Sequence, residues 1–329
     1  MIIDVHAHCI PQGFKDWLAE SGGPLGAEMV ETGRGPAVRL ADKVTTNALR
    51  EDLTDTELRV AALDRMGIDR QILSGWIDLT AYELEPSAGA AYSRVHNECL
   101  AEEAAKAPGR FAAIGTIPLQ DPTLAVGELD HAMRELGMVG VEIATTVDGV
   151  FLDEAGLDDF WAAAKDLGAF VVLHPMRPLE GVDLKRYFME NPVARPIEST
   201  IALAGLIFSG VFERHSGIKM CIVHGGGFAP YQAGRFDSAY AEKPELAGAH
   251  ISKAPSEYLK ELYVDTVLHN PLALRYAVEF MGADHVMLGT DYPFEMGESD
   301  PVGFIESADL GEETTSAVLG TTAEKLIFG

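Results

Sequence analysis

Eight short apolar runs punctuate the chain, and helical patterns separate most of them. The runs are Ile2–Val5, Arg70–Ser74, Phe111–Ile117, Gly140–Ile143, Phe170–Leu173, Ile218–Val223, Leu262–Asp265 and His285–Leu288. Most are β-branched or aromatic-rich and carry little charge, as parallel strands buried on both faces do. Between them, Thr56–Met66, Gly89–Ala107, Thr123–Leu136, Glu154–Leu167, Pro196–Phe212, Ala229–Ala241 and Pro271–Met281 read as helices. Thr56-Glu57 and Asp121-Pro122 offer capping chemistry, and Gly137 and Gly282 stand where C′ glycines end helices. Strands alternating with helices predict an α/β chain, folded over 1–329 as a single (β/α)8 TIM barrel. A doubly wound open sheet is the competing arrangement, but no G-x-G-x-x-G follows the first strand. The Gly-rich, polar stretch 20–52 breaks the alternation. It is expected to be an insertion after strand one that covers the barrel mouth.

Composition narrows the partners. Lys plus Arg is 25 and Asp plus Glu is 51 in 329 residues, a formal charge of −26. Such an acidic surface repels phosphate backbones and anionic lipid, so no nucleic-acid or membrane partner is expected. Cys9, Cys99 and Cys221 are widely spaced with no C-x-x-C, which offers neither a disulfide framework nor a cysteine zinc site. The start MIIDVHAHCIP lacks the basic and long apolar regions of a signal peptide. No apolar run approaches the roughly 18 residues of a membrane span. A soluble, cytoplasmic protein is the expectation.

The histidines carry the chemistry. In a strand, side chains at i and i+2 share a face, so His6 and His8 can aim at one ion from the end of strand one. His174 follows Phe170–Leu173, His224 follows Ile222-Val223, and Asp291 follows Val286–Thr290. Each stands just past a barrel strand, on the face where TIM-barrel catalytic groups gather. Any one of them alone reads as a satisfied strand-end polar group; five together read as a metal site. Imidazoles plus a carboxylate suit Zn²⁺ first, with Mn²⁺, Fe²⁺ or Co²⁺ possible, and leave a position where water can be acidified. The triple glycine after His224 bares the backbone and is expected to open a helix over 225–240.

These residues resemble the amidohydrolase superfamily, and within it the amidohydrolase-related decarboxylases. The likeness takes in I-D-V-H-A-H at 3–8, I-P-L-Q-D at 117–121, L-H-P at 173–175 and L-A-G-L-I-F-S-G-V-F-E-R at 203–214. It continues through H-G-G-G at 224–227, G-R-F-D at 234–237, P-S-E-Y at 255–258 and V-M-L-G-T-D-Y-P-F at 286–294. The resemblance implies metal ligation by His6, His8, His174 and Asp291, with His224 unligated beside the ion. It also implies that Arg235 binds a substrate carboxylate in the neighbouring subunit of a homodimer, and that Phe294 lines the pocket. Strand four reads Gly140-Val141-Glu142-Ile143, without the lysine that would bridge a second ion, which favours a mononuclear site.

The pocket departs from the family pattern. A second carboxylate-binding arginine falls at Asn47 in an ungapped alignment, with Arg50 and Lys43 nearby as substitutes. A pocket tryptophan corresponds to Asn191, and an apolar residue after strand seven to His269. His269 is either an acid/base and substrate donor or a polar loop residue. Trp76, after strand two, either stacks on a planar substrate or packs the core. Alternation turns Cys9 away from the ligands, so it reads as a buried small hydrophobe. His96, His131, His215, His250 and His285 read as packing or surface groups.

Two chemistries fit. The first is cofactor-free, metal-dependent decarboxylation of a small unsaturated or aromatic acid, with His224 as general acid/base and Arg235 holding a carboxylate bidentately. The second is a hydrolase or hydratase acting on an amide, lactone, imine or enol acid, with Asp291 taking a proton from water. A storage role fits poorly, because a ligand cage does not need His224.

Overall fold

A computed structural model describes residues 1–45, 49–176, 184 and 186–329. Eight strands form one sheet: β1 (Ile3–His8), β2 (Arg70–Ser74), β3 (Phe111–Gly115), β4 (Gly140–Ala144), β5 (Phe170–His174), β6 (Lys219–Ile222), β7 (Tyr263–Asp265) and β8 (Val286–Met287). They pair in sequence order, and every pairing is parallel. The amide of Val5 donates to the carbonyl of Leu288 at 2.9 Å, and Ala7 bridges Tyr292, so β1 meets the β8 end and the sheet closes. This is the expected (β/α)8 barrel.

Local chemistry sets the helices around it. Asp55 caps Thr56–Met66 through the amides of Glu57 and Leu58, and Gly67 ends that helix at φ 72°. Asp121 caps Pro122–Arg134 in the same way, through Thr123 and Leu124. Pro271–Met281 has the bounds read from the sequence, whereas the pattern 196–212 divides into Arg195–Phe208 and Val211–Arg214 at Gly210, φ 77°. Ile3, Val5, Ile72, Phe170, Val172, Cys221 and Met287 pack together inside the barrel. Cys9 is buried with Leu63, Leu73 and Leu100, as alternation suggested.

Between β1 and Thr56–Met66, Ala27–Thr32, Gly35–Leu40 and Lys43–Val44 make a separate three-stranded antiparallel sheet. It lies within the segment read as an insertion.

Strict alternation would put Asp4, His6 and His8 on one face. The β1–β2 register instead shifts between Asp4 and Ala7. Asp4 accepts from Thr290 Oγ1 at 2.6 Å and Gln71 Nε2 at 2.7 Å, while His6 and His8 enter the cage. An irregularity of this kind re-aims side chains beside a site, and no residue type in I-D-V-H-A-H announces it.

Candidate metal centre

Four groups converge where the strands end. One ligand atom from each of His6, His8, His174 and Asp291 lies within 4.8 Å of the others. Asp291 Oδ1 is 3.5 Å from His6 Nε2 and 3.2 Å from His8 Nε2. The rings of His6, His8 and His174 stand edge to face, with centroids 5.1–5.3 Å apart.

Each imidazole is turned by its other nitrogen. His6 Nδ1 lies 2.6 Å from Asp265 Oδ2, His8 Nδ1 3.0 Å from the Gly75 carbonyl, and His174 Nδ1 2.7 Å from the Pro175 carbonyl. These acceptors hold the proton on Nδ1 and leave the Nε2 lone pair for an ion. The Nε2 atoms of His6 and His8 are buried and have no hydrogen-bond partner among the described residues. Two such orphans beside a carboxylate are costly unless something binds them, so the donor set fits a divalent cation.

The charges agree with that fit. Burial and the neighbouring imidazoles hold His174 well below its usual range, so it stays neutral, the form a metal ligand needs. Burial would raise Asp291, but the charge on His6 and the nearby Nε2 atoms of His224 and His8 outweigh it and hold the carboxylate well below its usual range. Burial alone would lower His6; Asp291 and Asp265 overcome it and lift the ring to about 9, so a cation at this site competes with a proton for Nε2. For Asp265, His6 likewise outweighs burial, and its pKa falls below the usual range. Asp265 also accepts from the Gly225 amide at 2.8 Å. It ends β7 as Asp291 follows β8, and that shared placement is the signal by which the sequence reading could have found it.

His224 stands beside the group. Its Nε2 is 3.6 Å from Asp291 Oδ2, and its ring centroid is 5.2 Å from those of His6 and His174. The triple glycine does not begin a helix at 225, which corrects the sequence expectation. His224, Gly225, Gly226 and Gly227 all have positive φ, of 55°, 63°, 76° and 63°, and the helix starts at Ala229. A Cβ on Gly225 would meet Leu268 at 2.2 Å, so the turn needs glycine for space as well as for conformation. His224 therefore sits on a strained turn and not on a helix N-terminus.

A cavity of about 510 Å³ opens over the cage and is lined by His174, His224 and Asp291, with Trp76, Phe294 and Asn191. Phe294 packs between His8, at 5.2 Å, and Trp76, at 5.9 Å, and so forms an aromatic wall. Arg34, Arg50 and Arg195 also line the cavity. Sequence reading did not single out Arg34 or Arg195. Arg34 belongs to the turn between the first two strands of the small sheet, which no motif ties to the barrel mouth. Arg50 is oriented by Asp52 through bonds of 3.1 and 2.6 Å. Lys43 instead faces Glu83 and Asp148 at 3.3 and 3.1 Å and does not line the cavity. His269 is outside the lining, 3.9 Å from Glu298. Arg235 is exposed on Ala229–Glu242 and also outside the lining. Asn47 lies outside the described residues.

A barrel with a His-x-His on β1, a histidine after β5 and an aspartate after β8 defines a metal-dependent TIM-barrel enzyme. The sequence profile of the amidohydrolase family matches residues 3–328, and the chain belongs to that family. It is 30% identical over 322 residues to 2-amino-3-carboxymuconate-6-semialdehyde decarboxylase of Dictyostelium discoideum, covering 98% of this chain and 90% of that one. Its fold matches 5-carboxyvanillate decarboxylase of Sphingomonas paucimobilis with a TM-score of 0.85 at 24% identity, over 100% of this chain and 99% of that one. A dihydroxybenzoic acid decarboxylase of a Polaromonas species, solved with manganese and 2-nitroresorcinol, matches with a TM-score of 0.79 at 23% identity, over 99% and 96%.

Proposed function

We propose that this chain is a metal-dependent amidohydrolase-superfamily decarboxylase acting on a small, planar, unsaturated or aromatic carboxylic acid. The observation that carries this reading is the aromatic wall of Trp76 and Phe294 set against the imidazole cage, in a cavity with arginines on its rim. His6, His8, His174 and Asp291 would hold one divalent ion. When bound, that ion supplies Lewis-acid charge to draw in a substrate oxygen and stabilise negative charge. Zn²⁺ stands first on ligand chemistry, and Mn²⁺ is the ion named in the Polaromonas structure.

Loss of carbon dioxide leaves an electron pair on a ring or alkene carbon, and a proton must take the vacated place. His224 Nε2, beside Asp291 and open to the cavity, is the group we assign to move that proton. Asp291 doubles as the carboxylate that orients it. Trp76, Phe294 and Asn191 position the planar body, and Arg50 binds a substrate carboxylate as the nearby substitute for the family arginine that falls at Asn47. His269, outside the cavity, acts on substrate only if its loop moves inward.

We also assign Arg235 to the active site of a second subunit in a homodimer. Its exposure away from its own cavity supports that reading. Mixing Arg235→Ala with His224→Ala protein should then restore turnover through hybrid dimers, and mixtures as inactive as their parents would contradict it.

The direct test incubates metal-loaded protein with carboxylated muconates, dihydroxybenzoates, lactones and amides while carbon dioxide is measured. Release from an unsaturated or aromatic acid is expected. Hydrolysis of a lactone or amide without gas would make the protein a hydrolase.

A further inference from the structure

Arg59 stands on Thr56–Met66, a helix outside the barrel, yet it is only 2% exposed. A buried guanidinium is expensive, and an apolar side chain of similar size would usually serve packing better. Its partners show what it holds. Nη2 donates to the carbonyl of His8 at 2.6 Å, and Nη1 donates to Gln71 Oε1 at 2.9 Å. Gln71 Nε2 passes the contact on to Asp4 Oδ2 at 2.7 Å. Asp4 in turn accepts from Thr290 Oγ1 at 2.6 Å, the Thr290 amide at 3.0 Å and the His6 amide at 3.1 Å. The guanidinium also lies over the ring of Tyr292, 5.0 Å from its centroid. His6 and His8 flank one side of this chain of contacts; Thr290 and Tyr292 flank Asp291 on the other.

We infer that Arg59 is a positioning residue for the metal cage: one buried cation outside the barrel ties the strand bearing His6 and His8 to the turn bearing Asp291. The fork explains why arginine stands there. Two nitrogens reach three acceptors, Gln71 Oε1 and the carbonyls of His8 and, at 3.5 Å, Asp52, while the flat face covers an aromatic ring, and lysine cannot do all of this at once. The chain of contacts also explains the β1 irregularity, because turning Asp4 outward is what joins Gln71 to Thr290.

The inference rests on the ligand assignment above, and the experiment separates the two. Co²⁺ is titrated into apo wild type, Arg59→Met, Arg59→Lys and, as a control, Arg94→Met. The control removes one of the two partners of the buried Glu128 and lies on the helix Pro86–Ala105, which carries none of the four candidate ligands. Affinity and the visible absorption of bound Co²⁺ are read at a temperature where each variant is folded. Arg59→Met should weaken Co²⁺ binding about 10–100-fold and change the absorption, as loss of a group orienting metal ligands does. Arg59→Lys should recover part of the affinity, and Arg94→Met should bind like wild type. Should Arg59→Met fail to fold, Gln71→Leu cuts the relay to Asp4 and is read the same way. Wild-type affinity and absorption in the folded Arg59 or Gln71 variants overturn the inference. A wild-type protein that binds no Co²⁺ overturns the ligand assignment instead.

Discussion

The floor and the mouth of the cavity are built on different terms. On the floor, His6 and His8 are 1% and 0% exposed, and His174 and Asp291 are 6% exposed. All four come from the ends of barrel strands, and each imidazole has its far nitrogen pinned. At the mouth, Arg34 and Arg50 come from the segment between β1 and the next barrel helix, and Phe188 is 57% exposed at φ 60°. Strand ends fix atoms to the tolerance a metal needs, whereas loops can change length and residue type without disturbing the barrel. On the function proposed above, the chemistry is held by the floor and substrate choice by the mouth.

His224 belongs to the floor by position but not to the ligand group, and it gives the largest expected effect. His224→Ala should lower kcat by roughly 10²–10⁴, the usual worth of a general acid/base, in a steady-state assay of the metal-loaded enzyme. Near-normal turnover would make it a bystander and reduce the floor to a cage.

A mouth residue should act differently. Arg50→Met should raise KM about 10–100-fold with kcat little changed, since a charge-assisted contact to a substrate anion contributes about 1.5–3 kcal/mol. Arg34→Met should move KM less, because Arg34 is exposed. An equal fall in kcat from either variant would erase the distinction between the regions.

The smallest effect on catalysis comes from another buried imidazole. His96 is 1% exposed, packs on Phe14 at 4.4 Å, and has no partner at either nitrogen among the described residues. Burial lowers its pKa from 6.5 to about 4. Between those values the unfolded chain takes a proton and the folded chain does not. The His96 contribution to stability is therefore full above about pH 6.5 and falls away toward pH 4, by about 3 kcal/mol at most. Denaturant unfolding against pH should show that slope in wild type and a flatter one in His96→Leu, with activity at neutral pH unchanged. Equal slopes would contradict the assignment.

Much of the floor was legible because its signals are local. An apolar run followed by histidine or aspartate marks a strand end, and the barrel brings strand ends together whatever lies between them. Asp265 carries the same strand-end signal, but its role becomes visible only through its hydrogen bond to His6, a residue 259 positions away. The outward turn of Asp4 and the left-handed turn at 224–227 were hidden, because both depend on partners distant in sequence. The mouth was hardly legible. Arg34 reaches the cavity through the register of a small antiparallel sheet that no periodicity predicts. Trp76, Phe294 and Asn191 do line the cavity, whereas Arg235 and His269 lie outside it.

The division between floor and mouth stands on one ion held by the floor, and metal content tests it most directly. Elemental analysis of purified wild type, His174→Ala and His224→Ala should find about one divalent ion per chain in the first and last and a large loss in His174→Ala. Full occupancy in His174→Ala, or loss of the ion in His224→Ala, would contradict the division between ligands and acid/base.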